Sequence, residues 1–241
     1  SSGATKNTDG TLTSYVAANP TYGQSIVSYT GTGSATTIGH GLGTVPEMIM
    51  VKNRDAADDW RVYHASNTAN PETDFLELNA NTTTTDSDGN WNDTAPTSSF
   101  FTVGDADQTN TNTEKYIAYC FDSVTGYSKF GSYTGTGGTG NVTTVGFRPA
   151  FLMVKKSSGT GDWMMFDTAR QPAPDANKTH KYLKANEPNA EYTAGDDAAV
   201  TITDTSFQMF GNIGNTNTIS QTYIYMAFAD KREYAYWLDQ S

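Results

Sequence analysis

The segment Ser28-Tyr29-Thr30-Gly31-Thr32-Gly33 occurs a second time, letter for letter, as Ser132-Tyr133-Thr134-Gly135-Thr136-Gly137. The residues that follow also recur in one order and at a nearly constant spacing. The matched blocks are Pro46 to Lys52 with Pro149 to Lys155, Asp59-Trp60 with Asp162-Trp163, Phe75-Leu76 with Tyr182-Leu183, Ser99-Phe100 with Ser206-Phe207, and Tyr116-Ile117 with Tyr223-Ile224. Chance does not produce such a series, so the sequence predicts an internal duplication.

The duplication sets the predicted domain boundaries. We place two homologous modules at residues 22–125 and 126–230, between a polar N-terminal arm (1–21) and a C-terminal extension (231–241). Within each module, short apolar runs are separated by Gly, Asn, Asp, Thr and Pro, a pattern typical of strands and turns. The strands expected in the first module are near Ser25 to Tyr29, Thr36 to Ile38, Met48 to Lys52, Trp60 to His64, Phe75 to Leu78, Phe100 to Val103 and Tyr116 to Phe121.

About seven strands in about 100 residues favour a two-sheet sandwich. We therefore predict an all-β chain made of two homologous, jelly-roll-like β-sandwich modules in tandem. Trp60 and Trp163 hold the same place in the two modules, and strand alternation puts Trp60, Val62 and His64 on one face. The simplest interpretation is that this tryptophan anchors the core. The alternative is an exposed platform on which a sugar ring stacks.

The net charge restricts the classes of partner. The chain has 15 Lys and Arg against 26 Asp and Glu, a formal charge of −11 at pH 7. Neutralising phosphates needs a concentrated basic surface, so a nucleic-acid binder is excluded and an anionic membrane surface is disfavoured. No segment approaches the roughly 18 to 20 apolar residues that cross a bilayer, and no signal peptide pattern opens the chain. We expect no membrane insertion.

Catalytic chemistry finds little support in the sequence. Cys120 is the only cysteine, which excludes an intrachain disulfide and a cysteine zinc cluster, and its apolar neighbours indicate burial. His40, His64 and His180 are the only candidate bases, and none lies in a recognised catalytic motif. We predict that the chain is not an enzyme. A glycan-cleaving pair of acids is the alternative. It would be drawn from Asp55, Asp58, Asp59, Asp86, Asp88 and Asp93.

One loop gathers hard oxygen ligands around a glycine. Asp86, Asp88 and Asn90 flank Gly89 in the way that calcium loops arrange their ligands, and they form the candidate metal site. The glycine comes early relative to the EF-hand pattern, and no closing Glu follows. These departures favour a solvated turn, and the calcium site is the alternative. No other cofactor is expected.

Two further groups of residues are candidates for contacts. The polar stretch from Asn79 to Thr97 predicts a long surface loop, where binding residues concentrate, and Trp91, Asn92 and Asp93 are its candidate ligand contacts. Beyond the second repeat, aromatic side chains need a partner surface or must pack back. The candidate oligomer contacts there are Tyr234, Tyr236 and Trp237.

A set of short motifs runs from about residue 21 to about residue 230. They are Tyr29 to Gly33, Ile38 to Gly43, Met50 to Arg54, Trp60 with Val62 to His64, Trp91 to Ser99, Tyr116 to Phe121, Gly126 to Tyr133, Gly146 to Ala150 and Met165 to Arg170. As a set they resemble the tandem module of tail-fibre and other virion proteins of marine and freshwater tailed bacteriophages, cyanophages in particular.

The resemblance implies a virion surface protein of a kind that is often oligomeric. We expect a homotrimer that assembles with other virion proteins. It supplies no catalytic or ligand residue to transfer. The leading hypothesis is a noncatalytic tail-fibre adhesion module whose loops contact host envelope glycan, where many weak copies on one particle gain avidity. The second hypothesis is a capsid decoration or structural tail component whose exposed faces make subunit contacts.

Overall fold

A computed structural model describes residues 3–170, 178–193, 195 and 200–230. Almost all regular structure consists of antiparallel strands, which confirms the all-β prediction. The chain divides into two compact units: residues 1–79 with 84–122, and residues 80–83 with 123–241. The main boundary therefore falls close to the one that the repeat predicts. Within the described ranges, no helix has the length and apolar character needed to span a membrane.

The first unit, described from residue 3 onward, holds ten strands and four short helical turns. The strands are β1 (Thr5–Asn7), β2 (Ser14–Asn19), β3 (Gln24–Thr30), β4 (Thr36–Gly39), β5 (Met48–Asn53), β6 (Arg61–His64), β7 (Asp74–Glu77), β8 (Thr85–Asp86), β9 (Phe100–Val103) and β10 (Lys115–Phe121). The helices are α1 (Asp88–Trp91), α2 (Asp107–Asn110) and the 3-10 turns Pro20–Tyr22 and Pro71–Thr73.

The regular secondary structure in the described part of the second unit consists of strands. They are β11 (Ser128–Thr134), β12 (Asn141–Thr144), β13 (Pro149–Lys156), β14 (Trp163–Asp167), β15 (Lys178–Thr179), β16 (Lys181–Lys184), β17 (Tyr192–Thr193), β18 (Val200–Ile202), β19 (Ser206–Met209) and β20 (Thr222–Ala229).

Each unit is a sandwich of one large and one small sheet. In the first unit the large sheet has the order β1-β2-β3-β10-β5-β6-β7-β8, and β4 pairs with β9 in the small sheet. In the second unit the orders are β11-β20-β13-β14-β16-β17 and β12-β19-β18-β15. Alternate residues of facing strands form the two cores. Cys120 lies in the first core as predicted, and burial raises the pKa of its thiol to about 12.

The predicted N-terminal arm is wrong as a linker, because it contains strands β1 and β2. They extend the large sheet of the first unit beyond β3, with Tyr15 opposite Ser28 and Val16 opposite Val27. Only Ser14 and Val16 of the six residues in β2 are buried. The segment therefore lacks the apolar run that marks a strand in the sequence. The C-terminal extension lies outside the described residues.

The repeated hexapeptide makes the same contacts in both units. Tyr29 stacks on Tyr116 with ring centroids 5.2 Å apart and an angle of 13°, and Tyr133 stacks on Tyr223 with the same values. The Tyr29 hydroxyl donates to Thr109 O (2.7 Å), as the Tyr133 hydroxyl donates to Thr216 O (2.6 Å). Identical residues thus make identical contacts at the same point of each sandwich.

A buried asparagine closes the glycine turn in each unit. In the first, Asn110 Oδ1 accepts from Thr32 N (2.8 Å), while its Nδ2 donates to Ser34 O (2.7 Å) and Gly104 O (2.6 Å). In the second, Asn217 makes the matching bonds to Thr136 N, Gly138 O and Gly211 O at 2.8–2.9 Å. One side chain therefore satisfies three backbone groups at this turn.

The pairing pattern corrects one matched block. Phe101, and not Phe100, packs edge-on against Tyr29, as Phe207 packs against Tyr133. Thr97 and Thr203 make equivalent turns to Phe100 and Ser206. Phe100 therefore corresponds to Ser206, one residue away from the match made on letters alone. The letters Ser-Phe occur at Ser99-Phe100 and at Ser206-Phe207, which made these two pairs look equivalent. The residue before the equivalent phenylalanine is Phe100 in the first unit and Ser206 in the second.

The two tryptophans predicted as core anchors lie outside the core clusters. Trp60 is partly exposed and packs against Tyr119, with centroids 6.1 Å apart, on the sheet face opposite the core. Trp163 is buried, but its neighbours Met164 and Phe166, and not Trp163 itself, belong to the core cluster. The core-anchor interpretation is therefore wrong for Trp60, and for Trp163 only the burial is confirmed. The core tryptophan of the first unit is Trp91.

Trp163→Ala is expected to lower the free energy of unfolding by roughly 3 to 5 kcal/mol, because it empties a fully buried site. Trp60→Ala removes a side chain that water already reaches, and should cost about 1 to 2 kcal/mol. Urea unfolding of both variants measures the difference. Equal losses would show that the two sites are equally buried in solution.

The glycine turn gives a sharper test. A Cβ at Gly135 would lie 2.1 Å from Thr218 O, whereas a Cβ at Gly138, in the same turn, would meet nothing within 4 Å. Gly135→Ala should therefore destabilise the protein by about 2 kcal/mol or more, and Gly138→Ala should change stability by less than about 0.5 kcal/mol. Thermal unfolding of the matched pair checks this. A harmless Gly135→Ala would refute the close approach.

Candidate functional site

The polar loop between residues 79 and 99 is fixed by a buried tryptophan. Helix α1 places Trp91 in the core of the first unit, where it is 2% exposed. Its indole N–H donates to Asp74 O (3.0 Å), and its ring meets Tyr63 edge-on at 6.0 Å between centroids. The loop is therefore attached to the sandwich through a residue of the core.

Asn90 gives the loop a second attachment. Its Oδ1 accepts from Arg61 Nε (3.2 Å), and Arg61 is itself only 7% exposed. The same guanidinium pairs with Glu77 at 2.7 Å and lies over the ring of Phe75, 4.3 Å from its centroid. A buried charge is tolerated only when it is paired and hydrogen-bonded, and Arg61 meets both conditions.

Residues 104–106 make the third attachment. Gly104 N donates to Asn90 O (3.1 Å), and Ala106 N donates to Gly89 O (2.9 Å). A Cβ at Gly104 would lie 2.4 Å from Gly89 O, so only glycine allows this approach. Asp105, between these two contacts, is exposed.

These attachments leave an open cleft of about 310 Å³ on the first unit. It is lined by Asp88, Gly89, Asn92, Asp105 and residues 33–35. Residues 33–35 belong to the repeated glycine turn, which Asn110 holds in place through Ser34 O. Asn92 follows α1 in the left-handed conformation with φ 52°. Both walls of the cleft are thus set by buried side chains.

The cleft offers mainly hydrogen-bond acceptors. Asp88 and Asp105 supply carboxylates and Asn92 an amide, and none of the lining residues is basic. Carboxylate and amide oxygens accept the hydroxyl protons of a sugar or polyol, and amide N–H groups donate to its oxygens. Asp88 and Asp105 are both exposed to water. The arrangement therefore suits reversible binding of a hydroxylated ligand.

The predicted calcium ligands do not come together. Asp88 lines the cleft, but Asp86 lies on β8 outside its lining, and Asn90 turns inward to Arg61. A guanidinium 3.2 Å from the amide oxygen opposes a cation at the same atom. Among the described residues, no group of three or more His, Cys, Asp or Glu could hold a metal ion. The metal prediction for Asp86, Asp88 and Asn90 is therefore wrong.

The structure gives different outcomes for the other candidate site residues. Asn92 lines the cleft, Asp93 is exposed beside it, and Trp91 is buried, so the prediction of a ligand contact is wrong for Trp91. The neighbours of Trp91 in the sequence are polar, and its inward orientation is shown only by its contacts with Tyr63 and Asp74. The sequence reasoning missed Asp105, although a Gly-Asp pair directly after a predicted strand marks a turn where side chains reach solvent. Tyr234, Tyr236 and Trp237 lie outside the described residues.

The buried histidines serve local structure. His40 Nδ1 accepts from Leu42 N (3.2 Å), so Nε2 carries the proton and donates to Thr97 O (3.0 Å) at the end of the polar loop. His64 is also buried, and its Nδ1 accepts from Ser66 N (3.1 Å).

Comparison with protein families identifies one match. The family described as "Domain of unknown function (DUF7483)" matches residues 1–232, which is nearly the whole chain. Comparison with curated proteins and with solved structures gave no match.

His40 makes stability depend on pH. Burial lowers its pKa from the usual 6.5, so the folded state favours the neutral ring. As the pH falls below that value, the unfolded chain binds more protons than the folded chain, and the free energy of unfolding decreases. Between about pH 7.5 and about pH 5.5, wild type should lose more stability than His40→Gln, measured by urea unfolding. Parallel losses in the two proteins would contradict the assignment.

Proposed function

This chain belongs to the DUF7483 family, and we propose that it is a noncatalytic virion surface protein of a tailed bacteriophage. In this proposal it is a tail-fibre adhesion module, assembled as a homotrimer with other virion proteins, that contacts host envelope glycan. The observation that carries the proposal is the cleft of Asp88, Asn92 and Asp105, whose walls are fixed by buried residues while its polar groups stay open to water. The motif resemblance supplies the virion setting.

Preorganised walls favour binding of a weakly held ligand. Trp91, Asn90 and Asn110 are all buried and hydrogen-bonded, so the cleft does not have to be ordered when a ligand arrives. Ordering a loop on binding costs about 0.5 to 1.5 kcal/mol for each immobilised side chain, and that cost is avoided here. Single sites of this kind bind sugars weakly, and copies on one particle add avidity.

The same geometry supports binding over glycan cleavage. A carboxylic acid that donates a proton near neutral pH relies on a desolvated setting. Asp88 and Asp105 are exposed on an open cleft, and neither has that setting. Of the acids that the sequence offered for a cleaving pair, only Asp88 lines this cleft.

A structural role is the second candidate, and exposed apolar side chains favour it. Among the described residues, Ile26, Val45, Val142 and Ile219 are each about half exposed or more. Such residues suit subunit contacts in a capsid decoration or tail component. Antibody labelling of intact virions separates the two: label at the fibres supports adhesion, and label over the capsid supports decoration.

A glycan array with the full chain tests the adhesion proposal. Wild type should bind, and Asp88→Asn combined with Asp105→Asn should weaken binding by more than about tenfold, because hydrogen bonds to charged groups contribute about 1.5 to 3 kcal/mol each. Asp93→Asn is the control, since it removes one carboxylate charge from the loop that carries Asp88 but lies outside the cleft lining. Array binding that survives the double substitution would refute this cleft, and no binding at all would refute adhesion.

A further inference from the structure

Positive charge is scarce in the first unit and is gathered in one place. The unit has five Lys and Arg against fifteen Asp and Glu, whereas the second has ten against eleven. Arg61 is buried and paired with Glu77. The remaining four, Lys6, Lys52, Arg54 and Lys115, lie toward one end of the large sheet, on or beside the face that points away from the core.

Two of these cations line a pocket of about 150 Å³. Arg54 and Lys115 stand on one side, and Tyr15, 53% exposed, stands with Ser28 and Thr30 on the other. The register brings them together, because Ser28 lies opposite Tyr15, Lys115 lies opposite Thr30, and Arg54 N donates to Lys115 O (2.7 Å). The pocket therefore combines two positive charges, an open aromatic ring and two hydroxyl groups.

The two positive charges of this pocket are not neutralised by strong ion pairs with other described residues. The Arg54 guanidinium forms no ion pair with any described residue. Lys115 reaches only Asp55, at 3.7 Å, with side chains 61% and 37% exposed. A pair so exposed and so long contributes little. Both cations are available to an anion that enters the pocket.

The second unit shows that the fold does not need these cations. By strand register and backbone bonding, Thr222 takes the place of Lys115 and Ser157 that of Arg54. Ser132 and Thr134 stand where Ser28 and Thr30 do, so the hydroxyl groups are common to both units. The positive charge is therefore an addition to the first unit and not part of the sandwich.

We propose that this pocket binds a carboxylated sugar, of the hexuronate class. The proposal rests on the proposed glycan adhesion and adds the kind of sugar that is recognised. Arg54 and Lys115 would bind the carboxylate of the sugar. The hydroxyls of Ser28 and Thr30 would hydrogen-bond to the hydroxyls of the sugar ring, and Tyr15 would stack on its apolar face. The small pocket admits one sugar unit, and the acidic remainder of the unit repels densely charged polyanions such as nucleic acid.

The test is a titration of the full, isotope-labelled chain with methyl glucuronide, followed by amide NMR. Shifts should centre on Tyr15, Ser28, Arg54 and Lys115, and methyl glucoside, which differs only in lacking the carboxylate, should bind much more weakly. Arg54→Gln should raise the Kd at least about fivefold. Lys129→Gln, the same loss of charge in the second unit, is the matched control and should leave the Kd unchanged.

Several outcomes would overturn the proposal. They are equal binding of glucoside and glucuronide, glucuronide shifts that persist in Arg54→Gln, and acetate or an oligonucleotide binding at this pocket as tightly as glucuronide. The cleft variant Asp88→Asn with Asp105→Asn separates this result from the proposed function. Glucuronide shifts that survive in that variant uphold the pocket even if the array result refutes the cleft, and array binding without glucuronide shifts refutes the pocket alone.

Discussion

A buried asparagine amide at the mouth of each sandwich is the contact on which the fold depends. Asn110 accepts from Thr32 N–H and donates to the carbonyls of Ser34 and Gly104, so it joins the glycine turn to a segment some 70 residues further along the chain. A buried backbone group left without a partner costs about 1 to 3 kcal/mol. Replacing Asn110 would remove the bonds of Thr32 N–H and Gly104 O, whereas Ser34 O would keep its bond from Thr32 Oγ1 (2.8 Å). The glycines of the repeat have no side chain, so the backbone of the turn can lie against the segment that carries the asparagine.

The same contact connects the fold to the candidate site. Asn110 holds residues 33–35, which form one wall of the acidic cleft, and Gly104, which precedes Asp105 on the other side. Trp91 and Asn90 fix α1 between them. The cleft is therefore a by-product of the closure of the sandwich, and its shape follows from bonds that stability already requires. Exposed residues placed on such a frame can vary without loss of the fold.

The sequence predicted what is repeated and missed what is not. Tyr29 and Tyr133 make the same contacts, so a match of letters was also a match of structure. Strand β2 went unrecognised because only two of its six residues are buried. Trp91 was taken for a surface residue because its neighbours are polar, and its true partners, Tyr63 and Asp74, are distant in the chain. Charge pockets likewise depend on strand register, which composition does not contain.

The duplication allows fold and function to be separated within one molecule. A residue present in both units at the same position, such as Asn110 with Asn217, is explained by the sandwich alone. A residue present in only one needs another reason, and a charged surface side chain that forms no ion pair with the part of the chain described by the structure is the clearest case. Arg54 meets that condition, because Ser157 serves the second unit in its place. The difference between the units therefore points to recognition more directly than either unit does alone.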